Sequence, residues 1–141
     1  MMVHKCSLDT GFLTSALTDS LPEKWVRPWN EVRKRGRECY IIEPVIMETY
    51  YQLMMKKGMD KESAKDLIMK IKSLKSLNIP VLDDNDSFRA GLYHIRFNNL
   101  SFVDSFVLAI ANKLKLKVYT TDGHLKMAAK KINVPYDYLP I

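Results

Sequence analysis

Hydrophobic positions fall into short dense runs that alternate with longer stretches of helical spacing. Residues 3–8 are apolar enough for a first strand, and Asp9-Thr10-Gly11 ends it. A helix is predicted over 12–17. Another is predicted over 23–37 behind Pro22, with Trp25, Val26, Trp29 and Val32 at helical spacing between basic residues. Arg33-Lys34-Arg35-Gly36 closes it with positive charge and a glycine. Residues 39–42, aromatic and β-branched, predict the second strand. Pro44 opens a helix to about residue 57, and Gly58 breaks it. Asp60 then caps one over 61–77, with Leu67, Ile68, Ile71 and Leu74 as its inner stripe. Residues 79–82 predict a third strand, placed at an edge by Pro80. Asp84 or Asp86 caps a helix to about residue 97, and Ser101 opens one to 114. A fourth strand over 116–120, a helix over 123–132 and a fifth strand over 134–139 complete the pattern. Strands alternating with helices predict an α/β domain with a mostly parallel sheet of four to five strands.

Composition adds limits. The 141 residues suit one domain, 1–141, without linker, repeat or low-complexity segment. Five Gly and six Pro are too few for an all-β sandwich, and 47% hydrophobic residues exclude a disordered chain. Cys6 and Cys39 are too few for a secreted disulfide framework and read as buried thiols of a reducing cytoplasm. No signal peptide or membrane span is expected, since no apolar run reaches the roughly 18 residues needed. A net charge of +6 favours a polyanionic partner.

Four carboxylates stand out. Asp9 directly follows the first strand and Asp122 the fourth, so both fall at the carboxyl edge of a parallel sheet, where ligands bind. Each also suits a helix cap. Asp104 shares a helix face with Val107, Leu108 and Ala111, on a helix apolar almost all round and expected to be buried. Ser101 to Asp104 has the spacing of a capping box, the bland alternative. Glu48 lies one turn past the second strand among Met47, Tyr51 and Met55. At about 5 Å and an effective dielectric of about 20, each carboxylate pair repels by roughly 3 kcal/mol, so an ionised cluster needs cations. All-oxygen donors select hard ions, Mg²⁺ or Mn²⁺.

The stretches Leu8-Asp9-Thr10, Glu43 through Tyr51, Leu100 through Ala111 and Val118 through Asp122 together resemble the PIN-domain family, most of all the VapC-like toxins of prokaryotic toxin–antitoxin pairs. The resemblance spans essentially the whole chain. It implies a three-layer α/β/α fold and a metal-dependent endoribonuclease. In it Asp9, Glu48, Asp104 and Asp122 hold one or two Mg²⁺ or Mn²⁺ ions, and the hydroxyls of Thr10 and Thr120 orient those ligands. It further implies RNA as substrate, a cognate antitoxin that blocks the site, and a homodimer. An RNA-processing PIN nuclease and a non-catalytic RNA- or protein-binding PIN module are the other readings. Two positions depart from the pattern: Gly11 stands where many members carry Asn or Ser, and His124 where many carry a further Asp.

Other chemistries fail on residues. Gly11 removes the second aspartate of a haloacid-dehalogenase phosphatase, and strand one lacks the paired acids of a receiver domain. Phe88 interrupts the calcium-loop-like Asp84-Asn85-Asp86-Ser87, and no phosphate-cradling glycine loop exists. Arg33, Lys34 and Arg35, with Arg37 and the two tryptophans near, are expected to contact nucleic-acid phosphates weakly, the tryptophans otherwise serving the core. Lys56, Lys57 and the lysines of 61–75 read as a solvated helical face.

Overall fold

The structure, a computed structural model, describes residues 4–34 and 36–140. Arg35, and Val3 at the expected start of the first strand, lie outside the described residues. In chain order the elements are β1 (His4–Leu8), α1 (Thr10–Leu17), α2 (Glu23–Arg33), β2 (Arg37–Tyr40), α3 (Glu43–Met55) and α4 (Lys61–Lys72). They continue with β3 (Leu77–Asn78), α5 (Asp84–Arg96), α6 (Phe102–Leu114), β4 (Lys117–Thr120), α7 (Gly123–Lys131) and β5 (Tyr136–Tyr138). All strand pairs are parallel, in the order β3-β2-β1-β4-β5.

That order fixes the layers. From β1 the chain moves outward through β2 to β3, and right-handed crossovers place α1 to α4 on one face. It then returns past β1 to β4 and β5, which places α5 to α7 on the other face. Packing agrees: α1 packs on α3 and α3 on α4, while α6 packs on both α5 and α7. Fully buried Leu8, Ile41, Leu53, Leu108, Leu116 and Leu125 fill the space between sheet and helices.

Several local expectations shift. α2 stops at Arg33, because the Gly36 amide turns back to the Glu31 carbonyl, and Arg37 begins β2 instead of ending the helix. The Arg37 guanidinium is held by Glu31 at 2.7 Å and by the Tyr119 hydroxyl, which ties it into the fold. Trp25 packs edge-on against Phe12 and Tyr119, and Trp29 is also buried; both are core residues, whereas Val26 faces solvent. β3 is Leu77–Asn78 and residues 79–82 are not strand: Pro80 has no amide to donate, and Val81 is 91% exposed. α4 ends at Lys72, short of 77, and α1 begins at Thr10 because Asp9 caps it. Asp83 rather than Asp84 or Asp86 is the N-cap of α5, with Asp86 completing a reciprocal capping box. α6 is buried on the face of Asp104, Val107, Leu108 and Ala111, but Phe102 is 71% exposed, stacked on His94.

Candidate metal-binding acidic pocket

β1 and β4 are central neighbours, with Leu8 opposite Tyr119, so Asp9 and Asp122 leave the sheet at one edge. This is also where strand order reverses direction, the crevice in which open α/β sheets bind ligands.

Asp9 is buried, and both of its oxygens accept hydrogen bonds. Oδ1 takes the Phe12 amide at 2.8 Å and so caps α1, while Oδ2 takes the Thr120 hydroxyl and the Thr121 amide at 3.0 Å. Asp9 is thus a helix cap, and the same carboxylate ties β1 to β4. Burial pushes Asp9 up to about 6 against the pull of those donors, with the Asp122 charge adding to the rise. Asp122 caps α7 through Oδ1, which accepts the amides of His124 at 2.7 Å and Leu125 at 3.2 Å. Its Oδ2 accepts no hydrogen bond among the described residues.

Asp104 enters from α6, in the layer of α7 and across the sheet from α1, three residues past the N-cap Ser101, whose hydroxyl accepts the Asp104 amide at 3.0 Å. Among the described residues the return bond that would complete a capping box does not form. Burial, and then the charges of Asp9, Asp122 and Glu48, push the Asp104 carboxyl up to about 8. Glu48 is half-buried on α3; its apolar neighbours Met47, Tyr51 and Met55 are all more than half exposed, so that side of the helix is not the apolar surround that pattern suggests.

All four acids line one pocket of about 330 Å³. Thr120 donates to Asp9, and Thr10 lines the pocket with its buried hydroxyl unpartnered among the described residues. The far wall holds Thr14, Ser15, Gln52, Lys56 and Lys57, residues that hydrophobic patterning assigns to solvated surface or does not single out. The signal for them is the four-residue spacing of Glu48, Gln52 and Lys56, and of Thr10 and Thr14. Arg33 and Lys34 are elsewhere. They precede β2, whose first residue pairs with His4 at the start of β1, so they sit at the opposite edge of the sheet. His124 is exposed and lines a separate hollow of about 160 Å³ with Arg96, Asn98, Asn99 and Lys131.

The donor set fits a hard divalent cation: oxygen only, with Asp122 Oδ2 and the Asp104 carboxylate free of fold-forming amide bonds. As placed, no three of the acids among the described residues stand close enough to coordinate one ion.

The PIN domain family pattern matches residues 7–131, a span that includes all four acids. The chain belongs to the PIN domain family. Among solved structures, this PIN domain is similar to VapC20 of Mycobacterium tuberculosis, a Sarcin-Ricin loop cleaving toxin, at 19% identity and TM-score 0.71, over 87% of this chain and 94% of that one. It is similar to a chain of VapBC2 from Rickettsia felis, solved with a DNA fragment from their promoter, at 16% identity and TM-score 0.70, over 95% and 98%. It is similar also to a chain of VapBC-1 from nontypeable Haemophilus influenzae, at 13% identity and TM-score 0.67, over 95% and 97%. Comparison with curated protein sequences returns no match. The mixed α/β fold with an all-parallel five-strand sheet is that of the family.

Proposed function

We propose that this PIN domain is an endoribonuclease dependent on Mg²⁺ or Mn²⁺, the toxin of a type II toxin–antitoxin pair. The observation that carries the reading is Asp104, a carboxyl buried beside three others and pushed up to about 8, which needs a cation or a proton to be tolerated. Asp9, Glu48, Asp104 and Asp122 would hold one or two ions. When bound, such an ion supplies an acidified water and a counter-charge for the leaving oxygen. The chain's own part is positional. The Thr120 hydroxyl and the Thr121 amide fix the Asp9 carboxylate, and the α7 amides fix Asp122. Hydrolysis by water would leave a 5′-phosphate and a 3′-hydroxyl.

RNA as the substrate is supported by the net charge of +6 and by the cleaving activity named for the VapC20 chain. The likeness to chains of the VapBC2 and VapBC-1 structures supports an antitoxin partner, whose Arg or Lys would enter among the carboxylates. Phe88, Leu92 and Ile95, exposed along one side of α5, support a homodimer. Two free, buried cysteines suit a cytoplasmic protein, and among the described residues no helix is long and apolar enough to cross a membrane.

The test is cleavage of a mixed single-stranded RNA pool with Mg²⁺, with Mn²⁺ and with EDTA, with mapping of the product ends. Metal-dependent cuts ending in 5′-phosphate and 3′-hydroxyl are expected. Cleavage in EDTA, cyclic-phosphate ends or no cleavage at all would overturn the reading.

A further inference from the structure

The pocket changes character along its length. Glu48 and Gln52 on α3 and Lys56, the residue that caps its carboxyl end, follow one another at four-residue steps, about 6 Å each, so Lys56 lies about 12 Å along the axis from Glu48. α1 packs against α3 and supplies the facing wall, Thr10 and then Thr14. One end is thus anionic; the other offers a carboxamide, two ammonium groups and hydroxyls.

Thr14 is the unexpected member. The residue is 7% exposed and lines the pocket, and among the described residues its hydroxyl has no hydrogen-bond partner; Thr10 and Thr49 share that state, but Thr49 does not line the pocket and Thr10 stands at the acidic end. A buried hydroxyl left unpaired is costly, and such groups call for a partner outside the fold. The neighbouring lysines exclude a cation at this end. What suits two ammonium groups, an amide and a hydroxyl donor together is a ligand rich in acceptors and negatively charged.

We propose that Thr14, Gln52, Lys56 and Lys57 form a subsite for a backbone phosphate of single-stranded RNA, flanking the phosphodiester held at the four acids. The assignment rests on the ribonuclease reading for what occupies the acidic end. The strand runs from the acids down the α1–α3 groove, and a short stretch of extended chain spans the distance. Arg33 and Lys34, at the opposite edge of the sheet, are not on this path.

The experiment uses the full chain and a fluorescein-labelled twelve-nucleotide RNA of mixed sequence, with binding followed by anisotropy in EDTA across a salt series. Lys56→Gln with Lys57→Gln should weaken binding roughly tenfold and lower the salt slope by about 0.7 for each phosphate no longer neutralised. The same pair of changes at Lys61 and Lys65, exposed on α4, should leave both unchanged. In cleavage the Lys56/Lys57 variant should raise KM and leave kcat close to the parent. Thr14→Val should weaken binding a few-fold while melting no lower than the parent, because the hydroxyl holds nothing in the fold.

RNA affinity and salt slope unchanged in the Lys56/Lys57 variant would overturn the subsite, as would an equal effect of the Lys61/Lys65 variant. If RNA is still cut in that case, the nuclease reading survives alone. RNA bound through Lys56 and Lys57 but never cut would keep the subsite and remove the nuclease reading. A parent chain that binds no RNA would remove both.

Discussion

The first turns of α5 and α6 each carry an aspartate three residues past the N-cap, and each aspartate is nearly fully buried. Asp86 is satisfied from every side. Its Oδ2 accepts the Asp83 amide at 3.0 Å, Asp83 in turn accepts the Asp86 amide, and Lys113 stands 3.1 Å from Oδ1. Asp104 has the helix position without the company. Its N-cap is a hydroxyl that also bonds the Asp104 carboxyl, among the described residues its return bond is missing, and the charges around it are those of Asp9, Asp122 and Glu48. Identical chemistry at an identical helical position is structural in one place and left under repulsion in the other. The difference lies in what the rest of the fold delivers to that point: a lysine from α6 at one, the ends of β1 and β4 at the other.

Exchanging the two aspartates for neutral residues should separate them most sharply. Asp104→Asn is expected to abolish metal-dependent cleavage, by on the order of a hundredfold or more, since even groups that only orient metal ligands are worth up to that. The same variant should be more stable than the parent without metal. In the parent the folded state keeps a proton on Asp104 up to about pH 8, whereas the unfolded chain releases it near 3.8. Folding therefore binds a proton between these values, and stability falls as pH rises from about 4 to 8. The Asp104→Asn variant would escape that loss, so its advantage should widen over the same window in urea melts. The stabilisation that Mn²⁺ gives the parent should shrink in it. Asp86→Ala should do the reverse, costing about 1 kcal/mol through the lost return bond to the Asp83 amide and the lost pairing with Lys113, which keeps Asp83, with cleavage nearly intact. Equal behaviour of the two variants would dissolve the distinction.

A smaller effect is expected one bond away from the acids. Thr120→Val removes the hydroxyl that holds Asp9 down, so the Asp9 carboxyl should rise further above about 6. The acidic limb of the cleavage pH profile should move to higher pH, with activity at high pH largely recovered. An unmoved limb would mean that Asp9 is not the titrating group. Least of all should come from Arg33→Gln with Lys34→Gln. At the far edge of the sheet this change should alter RNA affinity by less than about threefold, through long-range attraction alone.

Three of the acids were legible because local pattern marks their positions, whereas Glu48, inside α3, carries no such mark. Asp9 and Asp122 end apolar runs, and Asp104 interrupts an apolar helical face. The parallel sheet followed from strands alternating with helices, and chain order alone carried the layering once strand order was known. What pattern could not supply was which helix stripe meets which neighbour. Lys56 and Lys57 fit a solvated face as well as a pocket wall until α1 is packed against α3. For the same reason pattern places Glu48 among the apolar Met47, Tyr51 and Met55 without telling that all three face outward. Arg37 reads as part of a basic helix end because its partners, Glu31 and Tyr119, meet it only after β2 pairs with β1 and β4 is in place beside it.

Gly11 bears on the routes by which such a site changes. A Cβ at this position would stand 1.9 Å from the Thr121 hydroxyl oxygen and 3.2 Å from Thr121 Cβ. The two positions share one parcel of volume at the mouth of the pocket, and here the strand end owns it. A side chain restored at position 11 meets that occupant first, whereas the same change made after residue 121 has shrunk meets open space. A residue larger than glycine at position 11 is therefore tolerated only where the Thr121 side chain turns away or is replaced by a smaller one.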